Sequence, residues 1–239
     1  MTTTQIQGQL NEAERRLLTE AITQAKTKPR IVVEVGTWLG GGSTLHILRA
    51  LEKNGGGHLW GIEADRSIYE KMVAGIQSAE PTASSRFTPL FGFSQDVLAE
   101  WLPHNATTRE VDFAFLDGGN NPREQIDEFY LLAPRMPVGG QIMAHDAKLR
   151  KGRWLMPFLF ALDNWRTELH DVSEEGLLHA VKTAAEPSSS SLKSAKQQLL
   201  RLKCNPVEIT AALIPSGVCR FILNRLPRRF ARRLSDGRP

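Results

Sequence analysis

A doubly wound α/β fold around a mostly parallel, seven-stranded sheet is the architecture this sequence predicts, and three observations predict it. Short β-branched or aromatic runs alternate with helical stretches of ten to fifteen residues, the pattern of right-handed βαβ units. Glycine or acidic residues stop these runs at their carboxyl ends. The last two runs are separated only by Ser173-Glu174-Glu175, so they should pair antiparallel and close the sheet with a hairpin.

Taken in order, Leu10, Ala13, Leu17, Leu18, Ala21 and Ile22 fall at helical spacing and predict an amphipathic helix over 10–27 that leads into the domain. Ile31–Val35 is the first strand, ended by Gly36, and Thr44–Lys53 returns to a helical period. His58–Glu63 and Arg86–Phe91 are the second and third strands, followed by helices over Ser67–Ala79 and Ser94–Trp101. Val111–Leu116, stopped by Asp117-Gly118-Gly119, is the fourth strand, and Gly140–Ala144 the fifth after the Pro/Gly-rich Pro134–Gly139. A helix over Leu155–Leu162 leads to the hairpin strands Trp165–Val172 and Gly176–Thr183. Ser188–Ser191 breaks the pattern, which sets a domain over 1–187 and a helical, basic C-terminal extension over 188–239.

Charge draws a similar boundary. The chain has 239 residues, with 30 Lys+Arg against 26 Asp+Glu, a formal net charge of +4. Residues 193–239 hold 11 basic and 2 acidic side chains, a net of +9, leaving 19 basic and 24 acidic in residues 1–192, a net of −5. An apolar share of 41% and a charged share of 23% exclude disordered and low-complexity classes for the chain as a whole. Cys204 and Cys219 both lie in the basic part, so neither a disulfide framework nor a cysteine zinc site holds the main domain. The first ten residues lack the basic start and apolar run of a secretory signal, and no apolar run reaches the roughly 20 residues of a spanning helix. The cytoplasm is the expected compartment.

In an open α/β sheet, ligands bind beyond the carboxyl ends of the strands, where the strand order reverses. The first strand end reads Glu34-Val35-Gly36-Thr37-Trp38-Leu39-Gly40-Gly41-Gly42-Ser43. A dinucleotide loop needs a glycine where Trp38 stands, because the pyrophosphate approaches the backbone there. That opposes a nicotinamide-dependent oxidoreductase, and a Walker loop is absent as well. What remains is a glycine-rich turn behind a carboxylate, suited to a ligand bearing a cationic group. Glu63 ends the second strand about twenty residues later, where an acidic side chain can accept both hydroxyls of a ribose. Together the two ends imply an adenosine-type ligand without a pyrophosphate.

With Gly92-Phe93-Ser94-Gln95-Asp96, Phe115-Leu116-Asp117 and Met143-Ala144-His145-Asp146, these ends resemble the successive motifs of class I S-adenosylmethionine-dependent methyltransferases. The nearest branch is the catechol and caffeoyl-CoA type of small-molecule O-methyltransferase, with its bacterial natural-product relatives. The resemblance runs from about residue 28 to about residue 183 and implies the Rossmann-like methyltransferase fold. It implies that Glu34, Gly36, Thr37, Gly40, Gly42 and Ser43 surround the methionine part of S-adenosylmethionine. Glu63 takes the ribose, Ser94 and Gln95 border the adenine, and Asp117 closes the cofactor site. The methyl acceptor is then a hydroxylated small molecule.

The resemblance further implies a divalent cation, Mg²⁺ or Mn²⁺, held by Asp117, His145 and Asp146, which would activate and align the acceptor oxygen. His145 and Asp146 are the expected catalytic pair. Two other readings of His145 stand beside the ligand role, a general base and a side chain satisfied by hydrogen bonds. The lysine base of the catechol branch has no counterpart in Gly118-Gly119-Asn120-Asn121. Asn120-Asn121-Pro122-Arg123 lacks the second proline and aromatic of amino-methylating enzymes, and an acidic domain is poor for nucleic acid. Trp38, Trp154, Phe158 and Trp165 could wall an acceptor pocket, with core packing the use expected of at least two.

In the tail, Ile222, Leu226, Phe230 and Leu234 recur every four residues among five arginines. That stripe suits docking on the acidic domain or a second subunit in a homo-oligomer, an anionic membrane surface or, least, nucleic acid. A non-catalytic binding module that uses this tail is the remaining rival function.

Overall fold

The computed structural model describes residues 6–105, 110–119 and 121–204. Strands β1 (Ile31–Val35), β2 (His58–Glu63), β3 (Phe87–Phe91), β4 (Phe113–Leu116), β5 (Gln141–Ala144), β6 (Trp165–His170) and β7 (Leu177–Lys182) form one sheet in the order β3-β2-β1-β4-β5-β7-β6. The first five are parallel to one another, and β7 runs antiparallel to both β5 and β6. The order reverses between β1 and β4, so the crevice for a ligand opens beyond Val35 and Leu116.

Helices α1 (Glu12–Thr23), α2 (Thr44–Lys53) and α3 (Arg66–Ala79) cover one face with the short α4 (Pro81–Ser84); α5 (Ser94–Asn105), α6 (Pro122–Leu132), α7 (Leu155–Ala161) and α8 (Ser189–Lys203) cover the other. Two apolar cores result. Leu18, Ile47, Leu48 and Ile76 meet Val32, Phe113, Phe115 and Met143, while Leu98, Phe129, Phe158 and Leu199 meet Val33, Val35, Ala114 and Ile142. Successive strand side chains alternate between these faces, and the alternation fixes where the residues at the strand ends point. Glu34 continues the row of Val32, Asp117 that of Phe113 and Phe115, and His145 that of Met143. All three therefore leave the sheet toward α1 and α2.

The predicted strands shorten where polar side chains take over the backbone. Val111 and Asp112 precede β4 because the Asp112 carboxylate accepts the backbone N–H groups of Arg30 and Ile31, at 2.7 and 2.9 Å, and so ties down the start of β1. The hairpin strands stop at His170 and resume at Leu177, and between them the Ser173 hydroxyl accepts the Gly176 N–H at 2.8 Å to make the turn. The helix predicted over Ser94–Trp101 continues through Pro103 to Asn105. Helix α6 is not among the elements that periodicity predicts, although its start carries a capping box, Asn121 with Glu124. Phe158 and Trp165 belong to the core, both edge-on to Phe129. Helix α8 packs on α7, with Ala195 and Leu199 buried. Asn120, Cys219 and the amphipathic stripe of residues 218–234 lie outside the described residues. Among the described residues no helix is long and apolar enough to cross a membrane.

Candidate active site

At the end of β1 the chain turns through Gly36 and Trp38, with φ of 83° and 45°. The turn passes so close to β4 that a Cβ on Gly36 would lie 2.5 Å from the Gly118 nitrogen. A positive φ on tryptophan is strained, and such strain persists where the surroundings hold it. Here the holder is Glu63, whose carboxylate accepts the Trp38 N–H at 2.9 Å and the Asp65 N–H at 3.0 Å. Those two bonds fix the carboxylate beside the glycine loop and leave lone pairs for a further donor.

Glu34 is fully buried. Its Oε1 accepts a hydrogen bond from the Ser43 hydroxyl, and its Oε2 has no partner among the described residues. Burial pushes its carboxyl up to about 8, only partly offset by that hydroxyl. Because Ser43 turns to Glu34, it gives α2 no side-chain cap. The helix N-terminus thus keeps its positive end for another acceptor. Thr37 Oγ1 and Gln95 Nε2 are also buried without partners among the described residues. Ser94 is tied to α6, donating to Glu128 Oε1 at 2.5 Å. Glu128 Oε2 is a further unpartnered buried oxygen, and burial raises this carboxyl to about 8.

The triple glycine has an unexpected use. Ile6–Leu10 runs across the loop, and Gly41 N donates to Gln7 O at 3.1 Å. A Cβ on Gly41 would lie 2.2 Å from Ile6 O, and one on Gly8 would lie 2.3 Å from the Gly41 carbonyl carbon. Gly42 also lies beneath this strap, so two of the loop's glycines admit the chain's own N-terminal segment.

The ends of β4 and β5 carry a different arrangement. Asp117, His145 and Asp146 each offer a ligand atom, all within 4.8 Å of one another. Asp146 has φ of 58°, the second strained strand end. Two residues that the sequence motifs do not single out complete the cluster. Lys151, only 4% exposed, places Nζ 2.8 Å from Asp117 Oδ1 and 2.7 Å from Asp146 Oδ2, and donates to the Asp117 carbonyl at 3.3 Å. Glu14, 2% exposed, faces His145 Nε2 with Oε1 at 3.2 Å, while its Oε2 accepts the Asn11 N–H of its own capping box. The other ring nitrogen, Nδ1, lies 3.3 Å from both Asp117 Oδ1 and Asp146 Oδ1.

Burial alone would lower His145, but the hydrogen bonds to Asp117 and Glu14 and the nearby Asp146 charge override it and raise the imidazole to about 10. Burial likewise opposes the charged Lys151, and its two carboxylates raise it to about 12. The Asp117 carboxyl, which burial would raise, is held below the usual carboxylate range by Lys151 and His145. The neutral imidazole expected of a general base is therefore not what this pocket stabilises. Nor does the cluster fit a divalent ion. An ammonium already stands between the two carboxylates, with an oxygen of each within 2.8 Å of it.

A signal for Glu14 was present in Asn11-x-x-Glu14, a capping-box spacing, and in its place on the buried row of Leu18 and Ile22. Lys151 had none, because only the 3₁₀ turn Lys151–Arg153 brings it back. That turn is closed by Gly152 N donating to Asp146 O at 3.3 Å. Gly152 lies so close to Ala147 that a Cβ would sit 2.3 Å from its carbonyl oxygen.

Residues 33–147 match the family model described as a methyltransferase domain. No curated protein sequence matches the chain significantly. Among solved structures, an O-methyltransferase from Bacillus cereus in complex with SAH is similar at 19% identity and a TM-score of 0.60, over 73% of this chain and 83% of that one. An SAH-bound methyltransferase from Podospora anserina gives 12% and 0.57, over 74% and 80%. A methyltransferase from Geobacter sulfurreducens gives 18% and 0.58, over 73% and 80%. The matched span runs from β1 to just beyond β5 and contains every cofactor and catalytic residue expected from sequence, whereas Glu14 and Lys151 fall outside it. The sheet is that of the Rossmann-like methyltransferase fold, and its first five strands lie largely within the stretch that matches the methyltransferase-domain model.

Proposed function

We propose that the protein transfers the methyl group of S-adenosylmethionine to a hydroxyl of a small molecule. The observation that carries this reading is the set of buried, unpartnered polar atoms at the ends of β1 and β3, Glu34 Oε2, Thr37 Oγ1 and Gln95 Nε2, inside a methyltransferase domain. Unsatisfied buried groups are costly, and a ligand that satisfies them recovers that cost. Glu34 suits the ammonium of the methionine moiety, and the uncapped start of α2 its carboxylate. Glu63 receives the ribose hydroxyls, and Ser94 with Gln95 borders the adenine. Trp38 stands at the position where a dinucleotide loop needs a glycine. SAH, found in two of the similar structures, is the demethylated product of this cofactor.

The reaction is an in-line displacement in which the sulfonium S–CH₃ bond breaks as the C–O bond forms and the hydroxyl gives up its proton. The protein's part is positioning. Asp146 is the most accessible carboxylate of the cluster, and it receives the hydrogen bond and proton of the acceptor hydroxyl. The expected metal has no step here, because the Lys151 ammonium engages the two carboxylates that would hold it.

Calorimetric titration with SAH, followed by labelled methyl transfer to a panel of hydroxylated small molecules, tests the reading. Saturable SAH binding and label in an ether product are expected. Tight NAD(P) binding with no affinity for SAH would overturn it.

A further inference from the structure

The cation site of this protein is occupied by a residue of its own chain. A lysine seldom lies 4% exposed, and Lys151 does so with its three ammonium protons directed at Asp117 Oδ1, the Asp117 carbonyl and Asp146 Oδ2. An ammonium has three donors, so all are engaged within the site and none remains to bind a ligand. What it supplies is charge and position. It balances two carboxylates at the ends of adjacent strands and fixes the distance between them. A divalent ion bound between the same carboxylates would need oxygen ligands at about 2.0–2.2 Å, space that Nζ already takes.

Two features outside the matched methyltransferase domain build this arrangement. The Lys151–Arg153 turn folds flat against Ala147 because Gly152 has no side chain, and α1 delivers Glu14 through its capping box. We propose that Lys151 is a positioning residue that stands in place of a divalent cation, holding Asp117 and Asp146 in working geometry so that methyl transfer needs no metal. The inference rests on the methyl-transfer reading but has its own observable.

The test uses Mn²⁺ as the probe on the full-length protein after chelator treatment, read by the loss of the free-ion electron paramagnetic resonance signal. Wild type should show no saturable binding with or without SAH. Lys151→Met, which removes the ammonium and keeps the apolar stem, should gain one Mn²⁺ per chain, and Asp146→Asn in that background should abolish it. Saturable one-to-one binding by wild type would overturn the proposal, as would a folded Lys151→Met that gains none. If Lys151→Met fails to fold, the wild-type titration alone decides. SAH titration of the same samples reports separately on the methyltransferase reading, which can fail while the Mn²⁺ result stands.

Discussion

The two halves of the crevice treat their buried polar groups in opposite ways. At β1 the protein leaves a carboxyl oxygen and a hydroxyl buried without partners among the described residues and a helix start with no side-chain cap, while at β4 and β5 it surrounds two carboxylates with an ammonium and an imidazole from its own chain. The first half is incomplete without a ligand, and the second is complete alone. Affinity for a cofactor should therefore come from the β1 side, whereas the β4–β5 side should set geometry and stability.

The largest expected effect sharpens that division. Glu63→Ala should weaken SAH binding by about 100-fold or more in calorimetry, since a charged hydrogen bond contributes about 1.5–3 kcal/mol and two hydroxyls are served. Asp146→Asn should leave SAH binding within about threefold while turnover falls, in the manner of an interaction made with the acceptor alone. Equal losses of affinity in both variants would erase the distinction between the halves.

A second comparison uses pH. The folded-state pKa of Glu34, about 8, lies above its ordinary value, so between about 4.5 and 8 the native state binds a proton that the unfolded state has released. Stability of the free protein should fall as pH rises through that window and level off above it. Glu34→Gln should flatten the decline and raise stability at pH 8, by up to a few kcal/mol on the linkage relation, while weakening SAH binding. Denaturant unfolding of both proteins across the window checks the sign, and parallel curves would remove Glu34 as the cause.

Smaller effects belong to the closed half. Gly152→Ala should cost roughly 1–3 kcal/mol of stability by calorimetric melting, because its Cβ would collide with the Ala147 carbonyl and displace the turn that carries Lys151. Asn11→Ala should cost about 1 kcal/mol in the same measurement by removing the cap of α1. It should also loosen Glu14 from His145, visible as a shift of the imidazole resonances in NMR.

The same contrast explains what was legible in the sequence. The β1 half lies in one continuous stretch, from Glu34 to Ser43, where residue type and spacing carry the chemistry directly. The mostly parallel sheet, its two covered faces and the terminal hairpin followed from the alternation of strand and helix periods, whereas the strand order is seen only in the structure. The β4–β5 half is assembled from three distant places, and its decisive members are a helix-borne glutamate and a lysine returned by a 3₁₀ turn. Glu14 carries only the weak signal of its place on the row of Leu18 and Ile22, and Lys151 carries none, because a charged residue is ordinarily a surface residue and only tertiary partners reverse that. His145 shows the effect of the omission. Without Glu14 in view its near-neutral intrinsic pKa looked available for catalysis, whereas three carboxylates hold it charged.

The strap of Ile6–Leu10 and the first turn of α1 also bear on the order in which the molecule can be made. They leave the ribosome before the surfaces that hold them, which are the Gly41–Gly42 turn, about 35 residues on, and His145, 131 residues from Glu14. Until β5 has been synthesised, Glu14 has no imidazole to face, and an early burial of α1 would strand its carboxylate in an apolar layer. This segment is thus placed to lock only once β5 is present, through a contact that belongs to the site itself.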